Sequence, residues 1–191
     1  MIFAPDPQVL HAQHRLAELH FDPGIRNGRL TKETRTALVG FQQLNGIKPE
    51  GVLNARTLRA LKHPRKVRGR FSDGVEVDLG RQLLFVYRDG KPALITHVST
   101  GAERHYCERG HCGYAITPVG DFSVFRRIKG WHRGALGAMY SPVYFRGGIA
   151  IHGSVEVPKH PASHGCVRVP LYVAPRVFHL VKMGETVRVR E

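Results

Sequence analysis

Acidic residues, cysteines and long apolar runs are all scarce in this chain. Of its 191 residues only 15 are Asp or Glu, against 29 Lys or Arg, so the formal net charge is +14 with neutral histidines. No stretch approaches the roughly 18 consecutive apolar residues of a membrane-spanning helix, so no such span is expected. Residues 1–5 lack the basic and apolar regions of a signal peptide, which fits a cytosolic protein or an exported one written without its leader.

The excess of positive charge favours negatively charged partners but does not identify one class of them. A basic surface attracts polyanions, but its sign does not separate nucleic acid, acidic lipid and anionic wall polymer. Nucleic-acid binders often concentrate this charge, whereas here it is spread along the chain, with one denser patch at residues 62–70. We interpret that patch as a solvated linker rather than a nucleic-acid-binding arm, and expect no nucleic-acid partner.

Residues 7–62 are patterned as short helices separated by glycine turns. The first helix carries apolar residues near helical spacing and ends before residues 21–24. Thr31 is a capping residue for the second helix, and Asn54 is one for the third. Two glycine turns precede helices two and three at comparable places, and this weak internal similarity predicts a compact three-helix module.

From about residue 75 the apolar pattern changes to a period of two, which is typical of strands. One helix is predicted in this part, at residues 171–182, ending before Gly184. The chain is therefore predicted to be an α+β multidomain protein, with a three-helix module at 7–62, a linker at 63–72 and a β-rich domain at 73–191. The strand candidates are residues 75–79, 82–87, 93–99, 120–128, 148–151, 167–169 and 186–190, with a hairpin turn at 88–91.

The chemistry concentrates in His152-Gly153 and in the run Ser163-His164-Gly165-Cys166-Val167-Arg168. A thiol nucleophile needs a nearby imidazole to take its proton, because the thiolate is the reactive species. Glycine permits a tight turn in which successive N–H groups can form an oxyanion hole. The alternative is a small buried cysteine with histidines nearby by chance, since the chain has 12 of them.

The N-terminal module resembles the small peptidoglycan-binding domain of many wall enzymes. The resemblance covers nearly all of residues 7–62. It departs at two turns, where Asn27 and Glu50 stand in place of the usual Asp. Glycan binding is implied by this resemblance and not by any single residue. The segments that carry it include Leu19-His20-Phe21-Asp22-Pro23-Gly24, Asn27-Gly28, Phe41-Gln42, Gly46-Ile47 and Glu50-Gly51-Val52.

The second part resembles the L,D-transpeptidase catalytic domain, the YkuD-like family. The motif residues are His152-Gly153 and residues 163–168, supported by the segments 99–101, 117–122 and 144–145. The likeness covers roughly residues 73–190. It implies a β-sandwich-like catalytic domain that works through a thioester acyl-enzyme and needs no metal or cofactor.

The resemblance also implies roles for particular residues. Cys166 would be the nucleophile and His152 the general base, held in orientation by the backbone carbonyl of Gly153. His164 would line the site and is the fallback as base. The backbone N–H groups of His164, Gly165 and Cys166 would be the oxyanion donors.

The implied substrate is a peptidoglycan stem tetrapeptide, attacked at the carbonyl of its third residue with loss of the terminal D-Ala. Transfer to an amine of another stem gives a 3→3 cross-link, whereas transfer to water makes the protein an L,D-carboxypeptidase. The expected partners are stem peptides, glycan and anionic wall polymers, and the expected location is extracytoplasmic. A non-catalytic wall-binding protein and, on charge alone, a nucleic-acid-binding protein are the alternatives.

Four further residues are candidates for substrate contact. Arg168 could pair with a stem carboxylate or form a structural ion pair, and Ser163 is expected to support the turn. The family has a lid equivalent to residues 128–148, in which Tyr140 and Met139 are predicted to line the pocket. Such a lid would exclude water and favour transfer to an amine.

The remaining chemistry lies in the segment between Cys107 and Cys112. With Cys166 they make three cysteines, the odd number that one disulfide and one reactive thiol would give. In an exported protein a local disulfide between Cys107 and Cys112 is expected ahead of free thiols. Zinc comes last, because the spacing does not fit a common finger and no second cysteine pair exists.

Overall fold

Three short helices form the N-terminal part, as predicted, in a computed structural model that describes residues 4–67, 69, 71–108 and 110–191. Thr31 caps the second helix by accepting the Thr34 N–H at 3.3 Å, and Asn54 caps the third by accepting the Thr57 N–H at 2.9 Å. The helices are α1 (Pro7–Glu18), α2 (Lys32–Leu44) and α3 (Ala55–Lys62). No helix in the described part of the chain has the length and apolar character needed to cross a membrane.

The internal similarity of the module extends to two buried glutamines that make equivalent hydrogen bonds. Gln13 accepts the N–H of Gly28 at 2.9 Å and donates to Thr34 Oγ1 at 2.9 Å. Gln42 does the same one repeat later, with Gly51 at 2.8 Å and Thr57 at 3.0 Å. Both glycines have a φ of +73°, which favours glycine. Each glutamine therefore joins a glycine turn to the next helix.

The β-rich part contains two five-stranded sheets. The first has the order β3-β2-β1-β12-β6 and the second the order β11-β10-β9-β7, with β8 pairing with β9. Strands β4 and β5 form a separate hairpin. The strands are β1 (Gly74–Asp78), β2 (Leu83–Arg88), β3 (Lys91–His97), β4 (His105–Glu108), β5 (His111–Tyr114), β6 (Gly120–Ser123), β7 (Arg126–Arg127), β8 (Trp131–Gly134), β9 (Gly137–Arg146), β10 (Ile149–Ser154), β11 (Val167–Pro170) and β12 (Thr186–Arg190).

The main core lies between the inner faces of the two sheets. One end of it is closed by a late helix, α4 (Ala174–Leu180), which buries Val177. This arrangement confirms the predicted fold class, a three-helix module followed by a β-rich domain with a late helix. The side chains that fill this core include Val75, Val77, Leu84 and Val86 from the first sheet, and Val143, Phe145, Ile151 and Val169 from the second.

A second core joins the helices to the outer face of the first sheet. Because side chains alternate along a strand, Leu83 and Phe85 of β2 face the helices while Leu84 faces the sandwich. They pack against Phe21 and Phe41 from the module. Burying one such large apolar side chain is worth about 1.5–3 kcal/mol, so this contact fixes the module against the sandwich.

The predicted linker, residues 63–72, is partly solvated along its described part, with His63, Arg65, Lys66 and Ser72 exposed and its apolar side chains half-buried. Val67 and Phe71 pack against the second core, and the Arg65 N–H donates to Asn45 Oδ1 at 2.9 Å. Residues 68 and 70 of the basic patch lie outside the described residues. The segment is held because its apolar side chains meet the same surface that the helices cover.

Several predicted boundaries differ from the structure. The strand predicted at 120–128 is two strands, because β6 pairs with β12 whereas β7 pairs with β9 in the other sheet. The helix predicted at 171–182 is shorter and begins at Ala174. The hairpins β4–β5 and β8–β9 were not predicted as strands, since their residues do not alternate between apolar and polar.

Candidate active site

One cavity of about 630 Å³ brings together most of the residues singled out in the sequence. Strands β10 and β11 lie side by side in parallel register, which pairs His152 with Arg168 and places Cys166 directly before β11. The sequence-distant motifs therefore meet because the strands that carry them are neighbours. The predicted site residues that line the cavity are His152, Ser163, His164, Cys166, Arg168 and Met139.

The imidazole of His152 is buried, with 6% of the residue exposed. Its Nδ1 lies 2.9 Å from the carbonyl oxygen of Gly153, which makes Nδ1–H the donor and leaves Nε2 with a lone pair. Burial lowers the pKa of His152, and the guanidinium of Arg168 lowers it further, while the Gly153 hydrogen bond opposes this. His152 is therefore a neutral imidazole that can accept a proton at neutral pH.

The thiol of Cys166 is partly exposed to the cavity, but the protein surrounds it closely. Desolvation raises the pKa of Cys166, while a backbone group of Ala150 and the guanidinium of Arg168 oppose this. Its Sγ lies 3.8 Å from the carbonyl oxygen of Gly148, an arrangement that suits a protonated thiol. Both pKa shifts favour the uncharged forms, a thiol at Cys166 and a neutral imidazole at His152.

Ser163 holds the turn that presents Cys166. Its hydroxyl donates to the carbonyl oxygen of Cys166 at 2.6 Å and accepts the N–H of Gly165 at 3.0 Å. Both of these contacts lie within the turn, while Ser163 also lines the cavity, so its contact with substrate stays a prediction. The predicted oxyanion donor at Gly165 has another partner, which leaves the N–H groups of His164 and Cys166.

Gly165 fits its position for two reasons. Its φ is +130°, and a Cβ there would lie 2.7 Å from the carbonyl oxygen of Ile116. Thr117, which sequence reasoning left without a role, fixes the same peptide. Its hydroxyl donates to the Gly165 carbonyl at 2.7 Å and accepts the Gly101 N–H at 2.9 Å. The signal for Thr117 was its place in the supporting segment 117–122.

Gly153 has a packing role besides its carbonyl. A Cβ at this position would lie 2.7 Å from the Cβ of Ala174 on α4 and 3.2 Å from the Cβ of Tyr140. Helix α4 can therefore approach β10 only because residue 153 has no side chain. This close approach holds the strand that carries His152.

The predicted lid is the hairpin β8–β9, whose tip at residues 134–139 forms one wall of the cavity. Met139 lines the cavity as predicted, but Tyr140 does not. Tyr140 packs against Trp131, with ring centroids 5.2 Å apart, beside a neighbouring groove. The register of β9 shifts near Ser141, which has a φ of +49°, so Tyr144 lines the cavity instead.

Tyr106 of the β4–β5 hairpin also lines the cavity, which the sequence did not predict. Cys107 and Cys112 lie opposite each other and are joined by a disulfide, with Cα atoms 4.0 Å apart. On this hairpin the ring of Tyr106 lies 4.6 Å from the ring of His164. Glu108 Oε1 lies 3.3 Å from His164 Nε2. The local sequence gave no signal for these contacts, which depend on tertiary packing.

Arg168 remains available to a ligand. It lines the cavity, and it has no ion-pair partner among the residues that the structure describes. The structure thus shows no ion pair for Arg168 within the described residues, and its pairing with a substrate carboxylate stays a prediction. Within the same described part, no group of three or more His, Cys, Asp or Glu is arranged for a metal ion.

Comparison with known protein families matches the two parts of the chain separately. The model described as the L,D-transpeptidase catalytic domain matches residues 72–189, which is more than half of the chain. The model described as a putative peptidoglycan binding domain matches residues 5–61.

Solved structures with this arrangement include an L,D-transpeptidase from Xylanimonas cellulosilytica. It is 35% identical, the match covers 98% of this chain and 95% of that one, and the TM-score is 0.92. An L,D-transpeptidase from Stackebrandtia nassauensis is 25% identical over 99% of this chain and 93% of that one, with a TM-score of 0.56. The cavity described above therefore lies in a fold shared with crystallised L,D-transpeptidases.

A curated protein matches over a shorter stretch. The carboxy-terminal processing protease CtpB of Bacillus subtilis is 40% identical over 53 residues. This match covers 28% of the chain but only 11% of the protease, so the chain spans about a tenth of the length of that relative. The likeness is confined to a small part of each protein.

Proposed function

The chain belongs to the L,D-transpeptidase family, and on that premise we propose that it forms 3→3 peptidoglycan cross-links through a thioester on Cys166. The observation that carries this proposal is the meeting of Cys166 and a neutral His152 in one cavity. The Gly153 carbonyl fixes the imidazole at 2.9 Å so that Nε2 can accept a proton. This is the arrangement that a thiol nucleophile needs.

In the first half-reaction the donor stem tetrapeptide acylates Cys166. His152 Nε2 takes the thiol proton as Sγ attacks the carbonyl carbon of the third residue, because the raised pKa of Cys166 keeps the thiol protonated until then. The N–H groups of His164 and Cys166 stabilise the developing oxyanion. His152 then gives the proton to the leaving amine, and D-Ala departs. Arg168 binds a carboxylate of the stem.

In the second half-reaction an amine of another stem attacks the thioester and gives the cross-link. Water at the same step would give the tripeptide, which is the carboxypeptidase outcome. The apolar wall formed by the hairpin tip, including Leu136 and Met139, covers the cavity together with Tyr144. Such a wall limits the access of water and so favours the amine.

The proposed setting is the cell wall, outside the cytoplasm. The helical module binds peptidoglycan in this proposal, and the net charge of +14 holds the protein near anionic wall polymers. The Cys107–Cys112 disulfide supports the same setting, because disulfides persist in oxidising compartments.

The proposal is tested by mass spectrometry of the products formed from a purified disaccharide-tetrapeptide, with Cys166→Ala as the control. A cross-linked dimer that lacks one D-Ala and is absent from the control supports the transpeptidase. Tripeptide alone would identify a carboxypeptidase that uses the same thiol. Neither product, together with no covalent adduct on Cys166, would leave a non-catalytic wall-binding protein as the better description.

A further inference from the structure

A second space, a groove of about 760 Å³, lies between the helical module and the catalytic domain. One wall comes from α2, with Lys32, Arg35 and Thr36, and the other comes from the hairpin residues Trp131 and Tyr140. The groove exists only because the two parts are packed together, so neither family resemblance predicts it.

The groove adjoins the cavity that holds Cys166. Ser154 and Val155 line both spaces. Ser154 follows His152 by two positions on β10, so the two side chains lie on the same face of the strand. A ligand in the groove therefore approaches the thioester from the side of the strand that carries the base.

The walls of the groove are held in place by direct contacts between the two parts. The Tyr172 hydroxyl lies 3.0 Å from the carbonyl oxygen of Asp22 and 3.1 Å from that of Glu33. The buried His97 links Gln43 of α2, at 3.0 Å, to the carbonyl of Pro158, at 3.1 Å. A preformed site of this kind binds a ligand without first having to order its own walls.

The chemistry of the walls combines apolar surfaces with positive charge. Trp131 is 58% exposed and offers a flat ring to the groove, next to Tyr140. Three cations (Lys32, Arg35 and Lys159) and two carboxylates (Glu33 and Glu50) line it, and Glu50 is already paired with Lys48 at 2.9 Å. Sugar rings have apolar C–H faces that fit aromatic rings, and stem peptides carry carboxylates that fit the cations.

We propose that this groove binds the acceptor strand of peptidoglycan, with its sugars against Trp131 and its stem leading past Ser154 to the thioester. This inference rests on the proposed function. We assign the donor strand to the other cavity because its reacting carbonyl must lie on Cys166, which lines that cavity and not the groove. The acceptor amine, in contrast, has to arrive at a thioester already in place, by a separate route.

The transfer step requires only the two substrate strands, Cys166 and His152. The amine nitrogen forms an amide bond to the thioester carbonyl carbon, and the C–S bond breaks with its electron pair remaining on Sγ of Cys166. The proton that the amine loses passes through Nε2 of His152 to this sulfur. The groove contributes only by positioning the amine. Holding the amine close to the thioester accelerates the reaction between the two bound strands.

The test separates acylation from transfer. Arg35→Glu reverses a charge on the module wall, and Thr36→Trp fills the groove, while Arg59→Glu makes the same charge change on α3 outside it. Acylation is followed as the mass increase of Cys166 with donor tetrapeptide, and transfer as the ratio of cross-linked dimer to tripeptide. Both groove variants are expected to lower this ratio about fivefold or more, as the loss of about 1 kcal/mol would. Their acylation rates should stay close to that of the wild type, and Arg59→Glu should retain both properties.

Each other outcome has a definite meaning. An unchanged dimer-to-tripeptide ratio in folded Arg35→Glu overturns the acceptor groove and leaves the proposed function intact. A parallel fall in acylation would show that the groove holds the donor, which also overturns the inference. Failure of the wild type to acylate refutes the proposed function itself. If Thr36→Trp does not fold, Lys32→Glu replaces it, because Lys32 is exposed on the same wall.

Discussion

Glu108 and His164 lie 3.3 Å apart, from Oε1 to Nε2, although they belong to a peripheral hairpin and to the nucleophile turn. The disulfide between Cys107 and Cys112 closes this hairpin beside Glu108. Tyr106 packs against the other side of the contact, with its ring 4.6 Å from that of His164. The hairpin thereby restrains His164, whose N–H is one of the two remaining candidates for oxyanion donor.

Opening the disulfide should therefore weaken catalysis without unfolding the protein. The double variant Cys107→Ser/Cys112→Ser loosens the hairpin, which lies outside both apolar cores. A surface contact such as the one between Glu108 and His164 is worth about 0–1 kcal/mol, so we expect kcat/KM for acylation to fall by no more than about tenfold. Circular dichroism should be unchanged. Glu108→Gln, which keeps the disulfide, should show part of the effect, and full activity in both variants would contradict the role of the hairpin.

Alkylation of Cys166 should require alkaline pH. Burial raises the pKa of this thiol above its ordinary value of 9.0, so the thiolate fraction is small at neutral pH and grows as the pH rises. The rate of reaction with iodoacetamide should thus increase through pH 9 without a plateau at lower pH. The rate is measured by the mass of the adduct over time. A plateau between about pH 5 and 7, typical of thiolate–imidazolium pairs, would contradict the neutral resting pair.

Acylation by the substrate should, in contrast, persist into mildly acidic solution. The pKa of His152 is lowered from 6.5 by burial, so the imidazole stays neutral and able to accept the thiol proton below pH 6.5. The acidic limb of kcat/KM for acylation is therefore expected below pH 6.5. A limb above that value would show that His152 is not the base.

The turn at Gly165 should tolerate no side chain. Gly165→Ala puts a Cβ 2.7 Å from the Ile116 carbonyl at a φ of +130°, and strain of this kind costs about 1–3 kcal/mol. The turn must shift, so we expect acylation to fall at least tenfold or so, since small displacements of reacting groups are costly. Gly80→Ala is the matched control, because its Cβ would meet no atom closer than 3.7 Å. Equal activity in the two variants would show that the turn is not constrained.

The local chemistry of the site could be predicted from sequence because its parts are local. Cys166 and its turn are contiguous in the chain, and the orienting carbonyl at Gly153 directly follows His152. Strand β12 (Thr186–Arg190) has the predicted bounds, since its alternation is regular and Gly184 precedes it. Caps at Thr31 and Asn54 fixed two helix starts for the same reason, because a cap acts within one turn.

The features that sequence did not predict all depend on contacts between distant segments or on irregular backbone. The shift near Ser141 reverses the alternation of β9, and so Tyr140 faces the groove while Tyr144 faces the cavity. The N–H of Gly165 is occupied by Ser163, which only the folded turn shows. Helix α2 packs on β3, so the helical module and the catalytic domain are in direct contact and form a groove between them. No local sequence pattern predicts that contact.

The joint between the two parts depends on Tyr172, which leads into α4 and whose hydroxyl faces the carbonyls of Asp22 and Glu33. Tyr172→Phe removes this donor from a partly buried place, where desolvation raises the pKa of the phenol and keeps it protonated. The loss of such a hydrogen bond costs about 1 kcal/mol, or about 2–4 °C in the melting temperature of a chain of this size.

Tyr172→Phe should also lower the rate of transfer to the acceptor more than the rate of acylation. Asp22 and Glu33 belong to the module, so a looser joint widens the groove without touching Cys166 or His152. We expect a lower ratio of cross-linked dimer to tripeptide, an unchanged acylation rate and a lower melting temperature by differential scanning calorimetry. A normal product ratio combined with the lower melting temperature would show that the joint stabilises the fold but does not shape the path of the acceptor.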